Sequence, residues 1–67
     1  MKIILNNTIE ELIPESLTIR ELLQHKNFTF KMLVIRVNGE LISKDQYDHC
    51  KIQDGDDVMI LHLVSGG

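Results

Sequence analysis

One helix signal lies between two hairpin signals in this chain, and this order constrains the possible folds more than any other feature. The segment SLTIRELL contains Thr18, which can cap a helix, and Glu21, which completes a capping box three residues later. Ile19, Leu22 and Leu23 share one face of the helix that follows. The spacing therefore predicts one amphipathic helix that buries a single apolar face.

Two tight turns connect predicted strands before and after this helix. Asn6-Asn7 and Asn38-Gly39 both favour the positive φ angles of a two-residue hairpin turn. The apolar runs beside these turns, with a last run after the turn at Gln53–Asp57, predict five strands: Met1–Asn6, Thr8–Ile13, Met32–Val37, Glu40–Ser43 and Asp57–Val64. The order β-β-α-β-β-β predicts an α+β fold, a compact roll whose helix packs on one face of a small mixed sheet.

The alternation of side chains along the third predicted strand separates its two faces. Arg36 should lie in water, which places Val34 on the same outward face. Leu33, Ile35 and Val37 then point towards the helix. This strand is therefore expected to have one core face and one solvent face.

Both faces of the last predicted strand, in contrast, are apolar. One alternating set contains Met59, Leu61 and Leu63, and the other contains Val58, Ile60, His62 and Val64. Because one helix covers only one face of a sheet, we assign the second set to an exposed apolar patch, a feature that often marks a binding surface. The alternative is that loops cover this face.

The composition favours a small protein-binding domain over a nucleic-acid-binding protein. Sixty-seven residues form one domain with little interior for a catalytic cavity, and only three are aromatic, so the core must be aliphatic. The net charge is −3 and the seven basic residues are scattered, so no basic surface is expected. Cys50 is the single cysteine, and no apolar run suits a secretory signal or a membrane helix. We therefore expect a cytoplasmic protein.

The residues that could support catalysis or metal binding lie in unsuitable patterns. Cys50 directly follows His49, and side chains adjacent in sequence do not face each other, so a thiol with its base is not expected. His25, His49 and His62 lie in three separate elements without metal-ligand spacing. The DGDD segment fits a turn better than a calcium loop. The sequence therefore predicts no bound metal, no bound cofactor and no enzyme activity of its own.

Ser65-Gly66-Gly67 follows the last predicted strand. These residues have no apolar side chain to bury, which predicts a folded domain at 1–64 and a flexible tail at 65–67. Two glycines in these positions are typical either of a frayed end or of a carboxylate that another protein's narrow site must hold. Residues without a Cβ atom permit that close approach.

Four segments taken in order, MKIILNN, LTIRELL, VNGELISKDQY and QDGDDVMILHLVSGG, resemble the ubiquitin-like sulfur carriers, and most of all the ThiS family of thiamine biosynthesis. The resemblance covers nearly the whole chain. It implies a β-grasp fold and a C-terminal Gly67 that is adenylated and converted to a thiocarboxylate, with Gly66 and Ser65 in the flexible tail. The sulfur would then enter the thiazole ring of thiamine.

The resemblance also implies that partner proteins perform the chemistry. An E1-like adenylating enzyme (ThiF-like) would use ATP on Gly67, a donor such as a cysteine desulfurase would supply sulfur, and a thiazole synthase (ThiG-like) would receive it. The residues expected to bind partners are those of the predicted patch, Ile60, His62 and Val64, together with Val34.

Other carriers and binding domains remain alternatives to this interpretation. Ser43 and Tyr47 stand where relatives often have proline and tryptophan. The small subunit of molybdopterin synthase shares the fold, the tail and the activation chemistry, but it is usually longer and has prolines before its tail. A ubiquitin-like protein modifier and a passive β-grasp interaction domain are further alternatives. The passive domain predicts no ATP-dependent chemistry at the terminus.

Overall fold

The computed structural model describes residues 1–28 and 32–62 as strands around one α-helix. A short 3-10 turn, Lys44–Gln46, follows the fifth strand. The elements in chain order are β1 Lys2–Leu5, β2 Thr8–Glu11, β3 Ser16–Thr18, α1 Ile19–His25, β4 Leu33–Val37, β5 Glu40–Ile42, β6 Lys51–Gln53 and β7 Asp57–His62.

Five of the strands form one mixed sheet in the order β2-β1-β7-β4-β5. The last strand, β7, lies in the centre, parallel to β1 and antiparallel to β4. The helix buries Ile19, Leu22 and Leu23, the three residues that the sequence placed on its apolar face. The predicted α+β roll, with one helix on one face of a mixed sheet, is confirmed.

The two hairpin turns adopt the geometry that their residues favour. Asn6 and Asn7 have φ angles of 51° and 66°, and Asn38 and Gly39 have φ angles of 53° and 83°. Positive φ at both central positions matches the right-handed twist of the flanking strands. Both predicted turns are therefore confirmed.

The helix begins with the predicted capping box. The Thr18 hydroxyl accepts a hydrogen bond from the Glu21 amide at 3.1 Å, and the Glu21 carboxylate accepts one from the Thr18 amide at 2.9 Å. The amides of Ile19 and Arg20 donate to the carbonyls of Cys50 and Tyr47, both at 3.0 Å. The amide groups of the first helical turn are thus satisfied by the cap and by the segment before β6.

The core between α1 and the large sheet is aliphatic apart from Tyr47, as the composition predicted. Its fully buried side chains are Ile3, Ile19, Leu22, Ile35, Ile52 and Val58. Leu5, Leu12, Leu23, Val37, Ile42, Tyr47 and Ile60 complete the buried set among the described residues. No polar or charged residue of the described ranges is buried.

The prediction that Val58 and Ile60 face outward is wrong. Strand β4 has the predicted faces, with Ile35 and Val37 buried, and its register pairs Ile35 with Ile60 and Val37 with Val58. Residues paired across adjacent strands lie on the same face, so Val58 and Ile60 enter the core with exposures of 0% and 5%. The exposed face of β7 is the one that carries Leu61.

Two short strands were not predicted from the sequence. β3 and β6 form a separate two-stranded antiparallel sheet in which Leu17 pairs with Ile52. Each has three residues, which is too short for alternation to be recognised. Their pairing buries Ile52 fully and holds the start of α1.

The predicted tail at 65–67, its flexibility and the domain boundary at 64 lie outside the described residues. Residues 1–28 and 32–62 contain no helix that has both the length and the apolar character to span a membrane.

Opposite faces of β7 should respond differently to the same substitution. Ile60→Asp would place an unpaired carboxylate in the core, at a cost of several kcal/mol against a typical total stability of about 5–15 kcal/mol. Leu61 is 49% exposed, so Leu61→Asp keeps its charge in water. Urea denaturation followed by circular dichroism should show a large loss of stability for Ile60→Asp only. Equal losses would contradict the face assignment.

The capping box gives a second stability prediction. Thr18→Ala removes the hydroxyl that accepts from the Glu21 amide and should lower the free energy of unfolding by about 1 kcal/mol. Thr18→Ser is the matched control, because it retains an acceptor oxygen. Thermal or urea unfolding measures both variants, and identical stability of the alanine variant and the parent would exclude a stabilising cap.

Candidate functional site

The proposed reactive tail follows the central strand of the large sheet. β7 is paired with β1 only at its beginning, where Val58 lies opposite Leu5, and with β4 as far as His62, opposite Leu33. The Asn6 side chain accepts a hydrogen bond from the Ile60 amide at 2.7 Å where β1 ends. The last described residues before the tail are therefore held by a paired strand.

The face of the sheet opposite the helix carries apolar side chains on all five strands, exposed on β1, β2, β5 and β7 and half-buried on β4. We call it the outer sheet face. Cross-strand pairing places Val34 beside Leu61 and Ile4 beside Ile9, and Arg36 pairs with both Met59 and Leu41. The most exposed of its apolar residues are Ile9 at 67%, Leu41 at 63%, Leu61 at 49% and Ile4 at 40%. Arg36 and Asp57 interrupt this apolar surface. Exposed apolar side chains grouped in this way are typical of a protein-binding surface.

The four residues predicted to bind partners do not share one surface. Val34 lies on the outer sheet face, half-buried, as predicted. Ile60 is buried in the core, and His62 pairs with Leu33 at the exposed end of the opposite face. Val64 lies outside the described residues. The predicted apolar patch exists, but its β7 members are Met59 and Leu61.

The residues that sequence reasoning missed are Leu41, Met59, Leu61, Ile4 and Ile9. Met59 and Leu61 could have been assigned by aligning β7 with β4, whose faces Arg36 had separated. Such an alignment requires the strand register, which depends on contacts distant in sequence.

Comparison with known protein families identifies the family of this chain. The model of the ThiS family matches residues 3–67, nearly the whole sequence. The chain belongs to the ThiS family. The match includes the segment Ser65-Gly66-Gly67.

Individual relatives of this ThiS-family chain agree with that assignment. The sulfur carrier protein ThiS of Bacillus subtilis (strain 168) is 34% identical to it over 50 residues, which cover 75% of this chain and 76% of that protein. The crystal structure of the thiamine biosynthesis protein ThiS from Geobacter metallireducens superimposes with a TM-score of 0.90 at 28% identity, over 100% of both chains. The solution structure of the Geobacter protein gives a TM-score of 0.82, over 100% of this chain and 88% of that one. The β-grasp fold implied by the resemblance is confirmed.

The single cysteine of this ThiS-family chain packs against the core, in surroundings that do not activate its thiol. Cys50 packs partly buried against the core, and its amide donates to the Gln46 carbonyl at 2.8 Å. Burial raises the pKa of the Cys50 thiol above its ordinary value, and the negative charges of Asp56 and Glu40 raise it further. A higher pKa leaves less thiolate at neutral pH, which disfavours a nucleophilic role.

The acidic turn before β7 uses its carboxylates to hold the backbone. Asp54 accepts a hydrogen bond from the Lys2 amide at 2.7 Å, and Asp56 accepts one from the Gln53 amide at 2.8 Å. The interpretation of DGDD as a turn is confirmed. In the described ranges, no three His, Cys, Asp or Glu side chains are grouped so that they could hold a metal ion.

The raised pKa of Cys50 predicts slow alkylation of the folded protein. With iodoacetamide at about pH 8, Cys50 should react more slowly than free cysteine and should reach a comparable rate once urea unfolds the chain. Mass spectrometry at successive times measures the rate. Faster reaction in the folded protein than in free cysteine would indicate an activated thiol and contradict this description.

Proposed function

We propose that this chain is a sulfur carrier whose Gly67 carboxylate is adenylated, converted to a thiocarboxylate and used to supply sulfur for the thiazole ring of thiamine. The observation that carries the proposal is the ThiS family match over residues 3–67, which includes Gly66 and Gly67. The relatives from Bacillus subtilis and Geobacter metallireducens favour thiamine biosynthesis over the molybdopterin alternative.

The chemistry begins with a carboxylate that is a poor electrophile. Attack on it would have to expel oxide from an anionic group, whereas transfer of AMP from ATP creates a mixed anhydride and releases pyrophosphate. A sulfur nucleophile can then attack the carbonyl carbon of Gly67 and expel AMP. The carrier contributes the carboxylate, and a partner enzyme contributes the ATP site, so this function requires neither a cofactor nor a catalytic side chain on the carrier.

The two glycines suit this role because an adenylating enzyme must surround the tail closely. Gly66 and Gly67 have no Cβ atom, so a narrow channel can contact their backbone on every side. A paired central strand before the tail gives the enzyme a rigid body to orient. Positioning of the carboxylate then depends on the docked domain and on the length of the tail.

The outer sheet face is the proposed docking surface for the ThiF-like adenylating enzyme. Leu61 lies on it one residue before His62, where β7 ends, and Val34 lies beside Leu61. A partner that covers this face is therefore adjacent to the start of the tail. The same carrier would receive sulfur from a donor such as a cysteine desulfurase and deliver it to a ThiG-like thiazole synthase. We place these steps in the cytoplasm. A chain with one cysteine cannot form an internal disulfide, which fits a reducing compartment.

Function should depend on the position of the terminal carboxylate. Deleting Gly67 shortens the tail by at most ~3.6 Å, and errors of ~1 Å in a reacting group can cost on the order of a hundredfold in rate. ATP–pyrophosphate exchange with the cognate adenylating enzyme should therefore collapse. Adding an alanine after Gly67 should also abolish exchange. Circular dichroism provides the folding control, and exchange at the parent's rate by both variants would refute the carrier proposal.

Docking on the outer sheet face gives an independent prediction. Leu61→Asp should weaken binding to the adenylating enzyme at least tenfold, because a carboxylate would be desolvated in an apolar contact without a partner. Lys51→Asp is a control at an exposed residue of β6, which belongs to the small sheet and not to the outer sheet face. Isothermal titration calorimetry measures both affinities. Unchanged affinity for the Leu61 variant would exclude this face as the docking surface.

A further inference from the structure

A groove of about 1160 Å³ lies between helix α1 and the β4–β5 end of the large sheet, beside the outer sheet face. Its lining is mostly apolar, with some polar and charged side chains. The described residues that line it include Arg20, Leu23, Gln24, Leu33, Val34, Leu41 and Lys44.

The groove borders an open sheet edge. β4 pairs with β7 from Leu33 onwards, but it pairs with β5 only from Ile35 onwards, because the chain leaves β5 after Ile42. Main-chain groups alternate sides along a strand, and Val37 pairs with Glu40 across the two-residue turn, so Val37, Ile35 and Leu33 direct their N–H and C=O groups towards the β5 side. Val34 directs its own groups towards β7. In the part of the chain that the structure describes, Leu33 is therefore the β4 residue whose main-chain groups face the open edge. An extended segment can add to such an edge by main-chain hydrogen bonds.

The charged side chains among the described residues of the groove are positive. Arg20 and Lys44 are the charged members among the described lining residues, although the whole chain carries a net charge of −3. Arg20 lies 5.7 Å from the centre of the Tyr47 ring, and its Nε donates to Asp48 at 2.7 Å, which orients the guanidinium and offsets part of its charge. Lys44 is exposed. The groove therefore complements an anionic occupant.

We infer that this groove binds an extended peptide segment of a partner protein in which acidic and apolar side chains alternate. The main chain of the segment would pair with the free edge of β4 at Leu33. Its apolar side chains would pack on the helix side of this edge, beside Leu23, and a carboxylate would lie near Lys44. Val34 and Leu41 belong to both the groove and the outer sheet face, so one partner can occupy both surfaces.

The probe is a short peptide with blocked ends in which Asp and Val alternate, titrated into the 15N-labelled full chain and followed by NMR. Amide shifts should concentrate at Gln24, Val34, Leu41 and Lys44 and should leave Ile9 unchanged. A peptide in which Lys replaces Asp should cause no such shifts. Lys44→Glu should raise the Kd of the acidic peptide roughly fivefold, the loss expected for one exposed ion pair.

Lys51→Glu is the matched control, because it makes the same charge change at an exposed residue of β6 that does not line the groove. It should leave the Kd nearly unchanged. Absence of shifts at high peptide concentration, shifts centred on Ile4 and Ile9, or equal weakening by the two lysine variants would each overturn the inference. The peptide assay does not involve Gly67, so its failure is distinguishable from failure of the carrier function.

Discussion

The position of the central strand β7 determines both faces of this domain and the place where its tail begins. Two hairpin asparagines hold that strand from opposite sides. Asn6 accepts a hydrogen bond from the Ile60 amide at 2.7 Å, and Asn38 accepts one from the Asp57 amide at 2.9 Å. The positive φ angles that form the turns also direct these side chains to β7, so turn formation and register are coupled.

This register divides the apolar residues of β7 between two roles. Val58 and Ile60 pack under the helix, and Met59 and Leu61 lie on the outer sheet face. A slip of one residue would exchange the two sets, burying Met59 and Leu61 and exposing Val58 and Ile60. The outer sheet face also carries the exposed Arg36, whose charge keeps part of this apolar surface hydrated.

Local signals in the sequence predicted most of the fold. The Thr18–Glu21 capping box, the two asparagine turns and the alternation around Arg36 each involve residues close together in the chain, and all were correct. The face of β7 was not predictable in this way, because both of its alternating sets are apolar. Only the pairing of Ile35 with Ile60 distinguishes them, and that contact joins distant parts of the chain.

The same distinction between local signals and long-range contacts explains how much of the candidate site could be predicted. The outer sheet face was expected as a feature, but its β7 members were reversed because they depend on register. The groove beside α1 was not expected at all, since it arises where β5 ends before β4 does, and strand ends are weakly encoded in short segments. The proposed role of Gly67, in contrast, depends on sequence resemblance and on the family match.

The most direct test of the carrier function is the mass of the C-terminal peptide from protein isolated from its native cell under conditions that preserve thioacids. The account predicts a fraction of chains in which one oxygen of the Gly67 carboxylate is replaced by sulfur, localised to Gly67 by fragmentation. That fraction should disappear when the adenylating enzyme is deleted. Only unmodified carboxylate in cells that are actively making thiamine would contradict the account.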